Sequence, residues 1–275
     1  MGVVSFLSDF GLDDAFVGVC HGVVLRIAPH VRIVDVSHCV EPGDVRQGAL
    51  LLARATPYFP VAVHLAVVDP GVGTARRGVA IGTVRGDVLV GPDNGLLTPA
   101  ARTLGGMTGA WELTNPEHRL APVSRTFHGR DVFAPAAGAV ASGVEPAELG
   151  DAVTGLVDLE PMAPPVVTRE LLEAEVVYVD RFGNLQLSAD REDLEVLGLD
   201  LDQDLLVSVA ARRSRATYVR TFGELADGAL GLYEDSDWQL ALAVKGGSAA
   251  RMFEAGRGAI VRVYPESKSK TQRRE

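Results

Sequence analysis

The first 160 residues alternate short apolar runs with amphipathic stretches. Val3 to Ser8 (VVSFLS) has a buried-strand pattern, repeated by Val31 to Ser37 (VRIVDVS) and Val61 to Asp69 (VAVHLAVVD). Between them, Phe16, Val19, Val23 and Ile27 fall on one face of a helix predicted over 14–27, and a second helix is predicted over 44–55. Strand, helix, strand, helix, strand predicts a parallel α/β sheet with right-handed crossovers. Asp14 and Asp44 stand where N-cap carboxylates would accept backbone N–H groups. GVAIGTV and DVLVGP then read as two strands joined by a tight turn near Gly86-Asp87. Residues 95–104 and 131–141 read as helices.

The pattern changes at EPMAPP (160–165), where three prolines mark a linker. Beyond it the apolar runs are short and often alternate, over 175–180, 184–188, 205–210, 217–220, 230–233, 239–244 and 259–264. Several short strands with turns between them predict a small sandwich or barrel. The expected organisation is therefore an α/β domain with a mostly parallel sheet over 1–160, a smaller all-β domain over 166–265, and a frayed polar tail over 266–275.

With 275 residues, 47% hydrophobic and 23% charged, the chain has the composition of a folded soluble protein. No apolar run approaches the ~20 residues of a membrane span. The N-terminal MGVVSFLSDFG lacks a basic n-region, so neither a signal peptide nor an anchor is expected. Two cysteines, Cys20 and Cys39, exclude a disulfide framework and a four-thiolate zinc site, and a reduced cytoplasm is the expected compartment. A net charge of -10 argues against a nucleic-acid partner and is compatible with a cationic ligand.

Polar residues collect where the predicted strands end: Ser8-Asp9-Phe10-Gly11, Asp69-Pro70-Gly71-Val72-Gly73, Gly91-Pro92-Asp93-Asn94-Gly95 and Thr126-Phe127-His128-Gly129-Arg130-Asp131. In open α/β sheets ligands bind outside the carboxyl ends of the strands, so four such turns indicate a binding site. Gly71 to Gly78 lacks both the spacing of a dinucleotide loop and the Gly-Lys ending of a nucleotide-phosphate loop. Cys20-His21 and His38-Cys39 have no metal-ligand spacing and read as helix-face and turn residues, so no metal site is expected. His64 reads as a core histidine, and Trp111 and Trp238 as packing residues. No Ser occupies a G-x-S-x-G elbow.

SDFGLDD (8–14), VVDPGVGTARR (67–77), GPDNGLL (91–97), TFHGRDVFAP (126–135) and VDRFGN (179–184) occur in that order. This series resembles the S-adenosyl-L-methionine (SAM) hydrolase (adenosine-forming) family, or SAM hydroxide adenosyltransferases, relatives of fluorinase and chlorinase. The resemblance spans Val3 to Tyr264. It implies an α/β domain followed by a β-barrel-like domain, and a homotrimer with sites between subunits. It implies hydrolysis of SAM to adenosine and L-methionine by water or hydroxide attack on the ribose 5′ carbon, with no metal or redox cofactor. The family's Asp-Arg-His set maps onto Asp69, Arg76 and His128. Halogenases have Tyr at the position of Asp69 and Tyr-Ser at His128-Gly129. Substrate contacts map onto Asp9 and Asp14 on the ribose side, Asp180 at the methionine ammonium, Phe182 and Asn184 at adenine, and Ser236 and Val244 in the remaining pocket. Turn chemistry is an alternative for Asp180 to Asn184, strand packing for Val244 and a solvated loop for Arg76 and Arg77. DSDWQLALA (235–243) departs from the approximate family pattern NSxGxLEIA, with Trp238 for Gly and Ala241 for Glu. A SAM-dependent 5′-halogenase and a non-catalytic SAM or adenosine binder are the alternative functions.

The chemistry agrees with this mapping. Methionine leaves the sulfonium as a neutral thioether and needs no general acid, so the demanding step is activating water, whose bulk pKa is ~15.7. Arg76 can favour a developing hydroxide, His128 can accept its proton, and Asp69 can orient Arg76.

Overall fold

In the computed structural model, which describes residues 2–266, the chain forms two compact units, Met1–Glu160 and Pro161–Glu275. The first contains β1 (Val3–Ser8), α1 (Phe16–Ile27), β2 (Arg32–Ser37), α2 (Val45–Ala55), β3 (Val63–Val67), β4 (Gly78–Thr83), β5 (Val88–Pro92), α3 (Thr98–Thr103), β6 (Met107–Glu112) and α4 (Ala134–Ala141). Its six strands form one sheet in the order β2-β1-β3-β5-β4-β6.

Side-chain alternation along the strands divides the core. Val4, Phe6 and Leu65 pack on the α1/α4 side, whereas Leu7, Ala66 and Leu89 pack on the α2/α3 side. Gly138 lets α4 lie against α1, since a Cβ there would sit 3.1 Å from Ile27 Cβ. Asp44 caps α2 by accepting from Gln47 N at 2.9 Å, as its position predicted. Asp14 does not cap α1; the cap residue is Ala15, with no side-chain bond, because the helix starts at Phe16.

The expected mostly parallel sheet holds in part, with one reversed strand making it mixed. β2, β1, β3 and β5 are mutually parallel, but β4 is antiparallel to both β5 and β6. The tight turn after β4, with Gly86 at φ +98°, makes β4 and β5 a hairpin and so forces the reversal. β6, in MTGAWE, escapes the alternation test because its edge position leaves Met107 and Thr108 exposed.

At the centre of the sheet His64 Nε2 donates to Asp87 Oδ1 (3.2 Å), and its Nδ1 lies 2.6 Å from Ser5 Oγ. All three residues have zero exposure. Serine, histidine and aspartate thus form a satisfied core network sealed from solvent, and His64 is the core histidine its pattern predicted.

The second unit contains β7 (Val166–Val167), β8 (Leu172–Val179), β9 (Leu185–Asp190), α5 (Arg191–Leu197), β10 (Asp204–Val209), β11 (Arg212–Tyr218), β12 (Leu230–Glu234), β13 (Gln239–Val244), α6 (Ala249–Phe253) and β14 (Ile260–Pro265). The strands follow the order β14-β10-β11-β12-β13-β9-β8, and β14 also pairs with β8, closing a seven-stranded barrel with β7 added at its margin. Closure removes the free edges that a sandwich would expose. Leu185, Leu187, Leu232, Leu240 and Leu242 fill the interior. Of the tail, Glu266 is bonded to Asp204 O, and 267–275 lie outside the described residues. Among the described residues no helix is long and apolar enough to cross a membrane.

Candidate active site

The antiparallel β4 determines how the first cluster forms. β3 ends at Val67, and Gly78 at the start of β4 is paired with Pro92 at the end of β5. The loop 68–77 therefore leaves and re-enters the sheet at one edge, the carboxyl edge of β1, β3 and β5. Turns bond the loop to itself, with Val72 N donating to Asp69 O and Thr74 Oγ1 to Gly71 O. Gly73, at φ +77°, abuts the Arg125 carbonyl, where a Cβ would fall 2.4 Å away. This glycine serves backbone packing rather than a phosphate.

The fold brings Asp69, Arg76 and His128 together. Arg76 Nε donates to Asp69 Oδ1 at 3.0 Å and Nη2 to Oδ2 at 2.5 Å, a two-pronged pair. Nη2 also lies 3.1 Å from His128 Nδ1. Arginine has no acceptor, so Nδ1 accepts, which fixes a neutral imidazole with its proton on Nε2. The Arg76 side chain is 9% exposed and that of Asp69 6%. The guanidinium lies 5.2 Å from the centre of the Phe133 ring, and Nη1 donates to Arg77 O. Burial pushes the Asp69 pKa up, against the pull of Arg76. Burial, then the Arg76 charge, pushes His128 below its ordinary value.

His128 precedes a single π turn, Gly129–Phe133, that runs into α4. Such turns are frequent at functional sites. Asp131 holds the turn by accepting from Ser124 N, and it pairs with Arg130. The two adjacent arginines are separated by their partners. Arg77 turns to Asp93 (Nε 2.9 Å, Nη2 2.5 Å) and Gly155 O, anchoring the loop after β5. Only Arg76 joins the cluster.

Asp9 follows β1 beside the end of β3, its N–H donating to Val67 O. Its Oδ2 accepts from Gly43 N at 2.8 Å. Asp14 is exposed ahead of α1. Phe10, Phe16 and Phe127 stack edge-to-face or tilted, with centroids 5.1–5.9 Å apart, beside Gly129. The sequence reading missed this aromatic wall, although Phe10 and Phe127 lie inside its motifs.

In the second unit Asp180, Phe182, Asn184, Ser236 and Val244 all line one cavity of about 730 Å³. That volume is within the range of small-molecule sites. Asp180 Oδ1 accepts from Phe182 N and Asn184 N, and its Oδ2 from Asn184 Nδ2 at 2.7 Å. Turn chemistry and cavity lining thus coincide in the same residues. Gln186, Tyr233, Asp235, Asp237, Phe222 and Lys245 also line the cavity and were missed. Gln186 was findable: with Leu185 and Leu187 buried in the barrel, alternation turns it outward. Its Nε2 donates to Asp235 Oδ2 (2.5 Å) and Asp237 Oδ2 (3.3 Å). Lys245 Nζ donates to Gly223 O and Leu225 O, fixing the loop that sets Phe222 6.0 Å from the Tyr233 ring. Burial, then the charges of Asp235 and Asp180, pushes Tyr233 up to about 12. Three carboxylates against one committed lysine give the cavity a preference for cations.

Trp238 is not a packing residue. It is 72% exposed, with φ +63° in the left-handed region that favours glycine. Ala241, opposite Gln186 in the β13–β9 ladder, adds no polar group to the cavity.

Comparison with known proteins gives a consistent result. Residues 4–150 match the model of the SAM hydroxide adenosyltransferase N-terminal domain, and 174–262 that of the C-terminal domain. A protein of Salinispora tropica named (R)-S-adenosyl-L-methionine hydrolase is 49% identical over 262 residues, covering 94% of this chain and 97% of that protein. One of the same name from Thermus thermophilus is 42% identical over 272 residues, covering 96% and 100%. A fluorinase of an Actinoplanes species is 31% identical over 229 residues, covering 74% and 76%. The crystal structure of an uncharacterised conserved protein from Thermotoga maritima superposes with a TM-score of 0.88 at 35% identity, covering 95% of this chain and 99% of that one. With both domain models matched in order across most of its length, this chain belongs to the SAM hydroxide adenosyltransferase family.

Proposed function

We propose that the protein hydrolyses SAM to adenosine and L-methionine, with water attacking the ribose 5′ carbon. The observation that carries this reading is the hydrogen-bonded set Asp69–Arg76–His128 at the carboxyl edge of the sheet. In the reaction the C5′–S bond breaks, its electron pair stays on sulfur, and a C5′–O bond forms as water loses a proton. Nη2 and Nδ1 are already in contact at 3.1 Å, so the attacking water would bind beside the pair and take the Nδ1 lone pair over from Nη2, meeting the cation and the base together. Arg76 stabilises the hydroxide-like oxygen while Nδ1 takes the proton. Asp69 holds the guanidinium plane through two hydrogen bonds and is itself fully engaged. General-base assistance of this kind contributes ~10²–10⁴-fold.

The substrate roles belong to the same reading. Asp9 and Asp14 act on the ribose side. Asp180, with Asp235 and Asp237 beside it, suits the methionine ammonium. Phe182 and Asn184 serve adenine, and Ser236 and Val244 complete the pocket. A homotrimer with sites between subunits and a cytoplasmic location complete it.

The test is incubation with SAM in H₂¹⁸O. Adenosine and methionine should appear in equal amounts, with the label in the adenosine 5′-hydroxyl. Absence of labelled adenosine, or an undiminished rate in Asp69→Ala and His128→Ala, refutes the proposal. A halide-dependent 5′-halo product would select the halogenase instead. Light scattering should give three times the chain mass.

A further inference from the structure

The hydrolytic set leaves a second side-chain cluster unused, at the β2 edge of the sheet. His21 lies on α1, Asp35 on β2 and His38 just beyond β2. His21 Nε2 is 2.8 Å and His38 Nε2 3.1 Å from the same atom, Asp35 Oδ1. One ligand atom from each residue lies within 4.8 Å of the other two. Bonds of ~2.0–2.1 Å at tetrahedral angles put neighbouring donors ~3.3 Å apart, so each histidine nitrogen needs to draw back from Asp35 Oδ1 by roughly half an ångström or less. Two imidazoles and a carboxylate form a donor set suited to first-row transition ions.

A second observation is independent of that spacing. The His38 side chain is 2% exposed, and its Nε2, 3.1 Å from Asp35 Oδ1, makes no hydrogen bond of good geometry. An orphaned buried ring nitrogen is uncommon in native proteins. The other side of the ring is committed. His38 Nδ1 sits 2.7 Å from Ser8 Oγ, which also accepts from Phe10 N. With the Nδ1 proton on Ser8, Nε2 turns its lone pair toward Asp35. This is how a residue outside the coordination sphere orients a histidine ligand. Both imidazoles pack on Phe6, with centroids 4.7 Å and 5.8 Å away, so neither swings freely.

We infer that His21, Asp35 and His38 form a binding site for one divalent transition-metal ion of the zinc class, with water completing the coordination on the exposed side of Asp35. The ion would tie α1 to β2 and, through Ser8, to the end of β1 that carries Asp9. Its role is to order this edge of the α/β unit. The spacing of the three residues in sequence hides the site, because the strand carrying Asp35 must first lie beside α1.

The test uses untagged full-length protein, stripped with EDTA and dialysed, then titrated calorimetrically with Zn²⁺ and spectroscopically with Co²⁺. One ion per chain should bind, Co²⁺ should develop the visible bands of a tetrahedral nitrogen–oxygen site, and the melting temperature should rise with Zn²⁺. His21→Ala alters a half-exposed helix position and should weaken binding by at least ~10-fold, as should Asp35→Asn. Ser8→Ala should weaken it ~10–100-fold. Cys39→Ser, at the exposed neighbouring thiol, should leave affinity unchanged. The inference is overturned if no saturable site exists, if His21→Ala and Asp35→Asn bind like wild type, or if Cys39→Ser alone abolishes binding. Binding is read without SAM, so this result and the outcome of the hydrolysis assay stand separately.

Discussion

Replacing Arg76 by Lys separates the geometry of the guanidinium from its charge. The Arg76 guanidinium makes four hydrogen bonds: two to Asp69, one to His128 Nδ1 and one to Arg77 O. A lysine ammonium is a point donor and cannot reproduce that fork. Asp69 would keep a cation nearby, but the donor aimed at His128 Nδ1 and at the attacking oxygen would be lost. Loss of one preorganised donor to a developing oxyanion lowers kcat ~10²–10³-fold, about 2.7–4 kcal/mol of barrier. KM for SAM should change little, since Arg76 is outside the substrate contacts. Arg76→Ala adds a stability loss of ~3–5 kcal/mol, because it leaves the buried Asp69 carboxylate unpaired. Adenosine release at saturating SAM, measured by chromatography beside a thermal melt, separates the two effects. A folded Arg76→Lys enzyme losing less than ~1 kcal/mol of barrier in kcat would refute the assignment of Arg76.

Other substitutions probe the remaining parts. His128→Ala should lower kcat ~10²–10⁴-fold with little change in melting temperature, and a rate within a few-fold of wild type would remove His128 from the mechanism. Asp180→Asn removes a charge and turns an amide toward the Asn184 amide, so KM for SAM should rise ~10–100-fold, read from initial rates. Gly91→Ala would place a Cβ 2.3 Å from the Ala66 carbonyl and should destabilise the protein by ~1–3 kcal/mol in chemical denaturation; an unchanged midpoint would contradict the packing. Burial holds the His64 pKa below its ordinary ~6.5, against the pull of Asp87. Between the two values the unfolded chain binds the extra proton, so stability should fall as pH drops below about 6.5, by up to ~1.4 kcal/mol per pH unit. Melting curves between pH 7 and pH 5 should show that slope, and His64→Gln should reduce it.

The parallel half of the sheet was legible because β1, β2 and β3 are buried or half-buried strands, the first two each followed by a helix with one apolar face. The reversal at β4 was legible only through the tight turn at Gly86-Asp87, because a strand has the same composition in either direction; β6, at the edge, was not legible at all. The resemblance mapped Asp69, Arg76 and His128, but the residues alone left Arg76 and Arg77 equivalent. Their separation depends on where Asp69 and Asp93 stand in three dimensions. Asp235 and Tyr233 were hidden for a related reason: a barrel's outer face is ordinary polar surface in sequence until neighbouring strands curve it into a cavity. Trp238 failed because a large aromatic was taken to imply burial, whereas the turn places it outward.

The choice between water and halide rests on the same arginine. The resemblance implies that halogenases lack the aspartate found here at 69. An unpaired buried guanidinium would be an anion site, but Asp69 accepts from both Nε and Nη2, so a halide would have to displace a two-pronged carboxylate from an almost sealed position. The serine that halogenases carry at 129 meets a second obstacle. A Cβ on Gly129 would fall 2.9 Å from Phe10 Cζ and 3.4 Å from Phe127 Cε2, and Phe10 is itself packed against Phe6, Phe16 and Phe127. The two positions that distinguish the chemistries are thus coupled through different neighbours: Asp69 through the charge it neutralises, Gly129 through the space it leaves. Exchanging either residue alone would disturb the site without building an anion pocket, which favours water as the nucleophile for this chain.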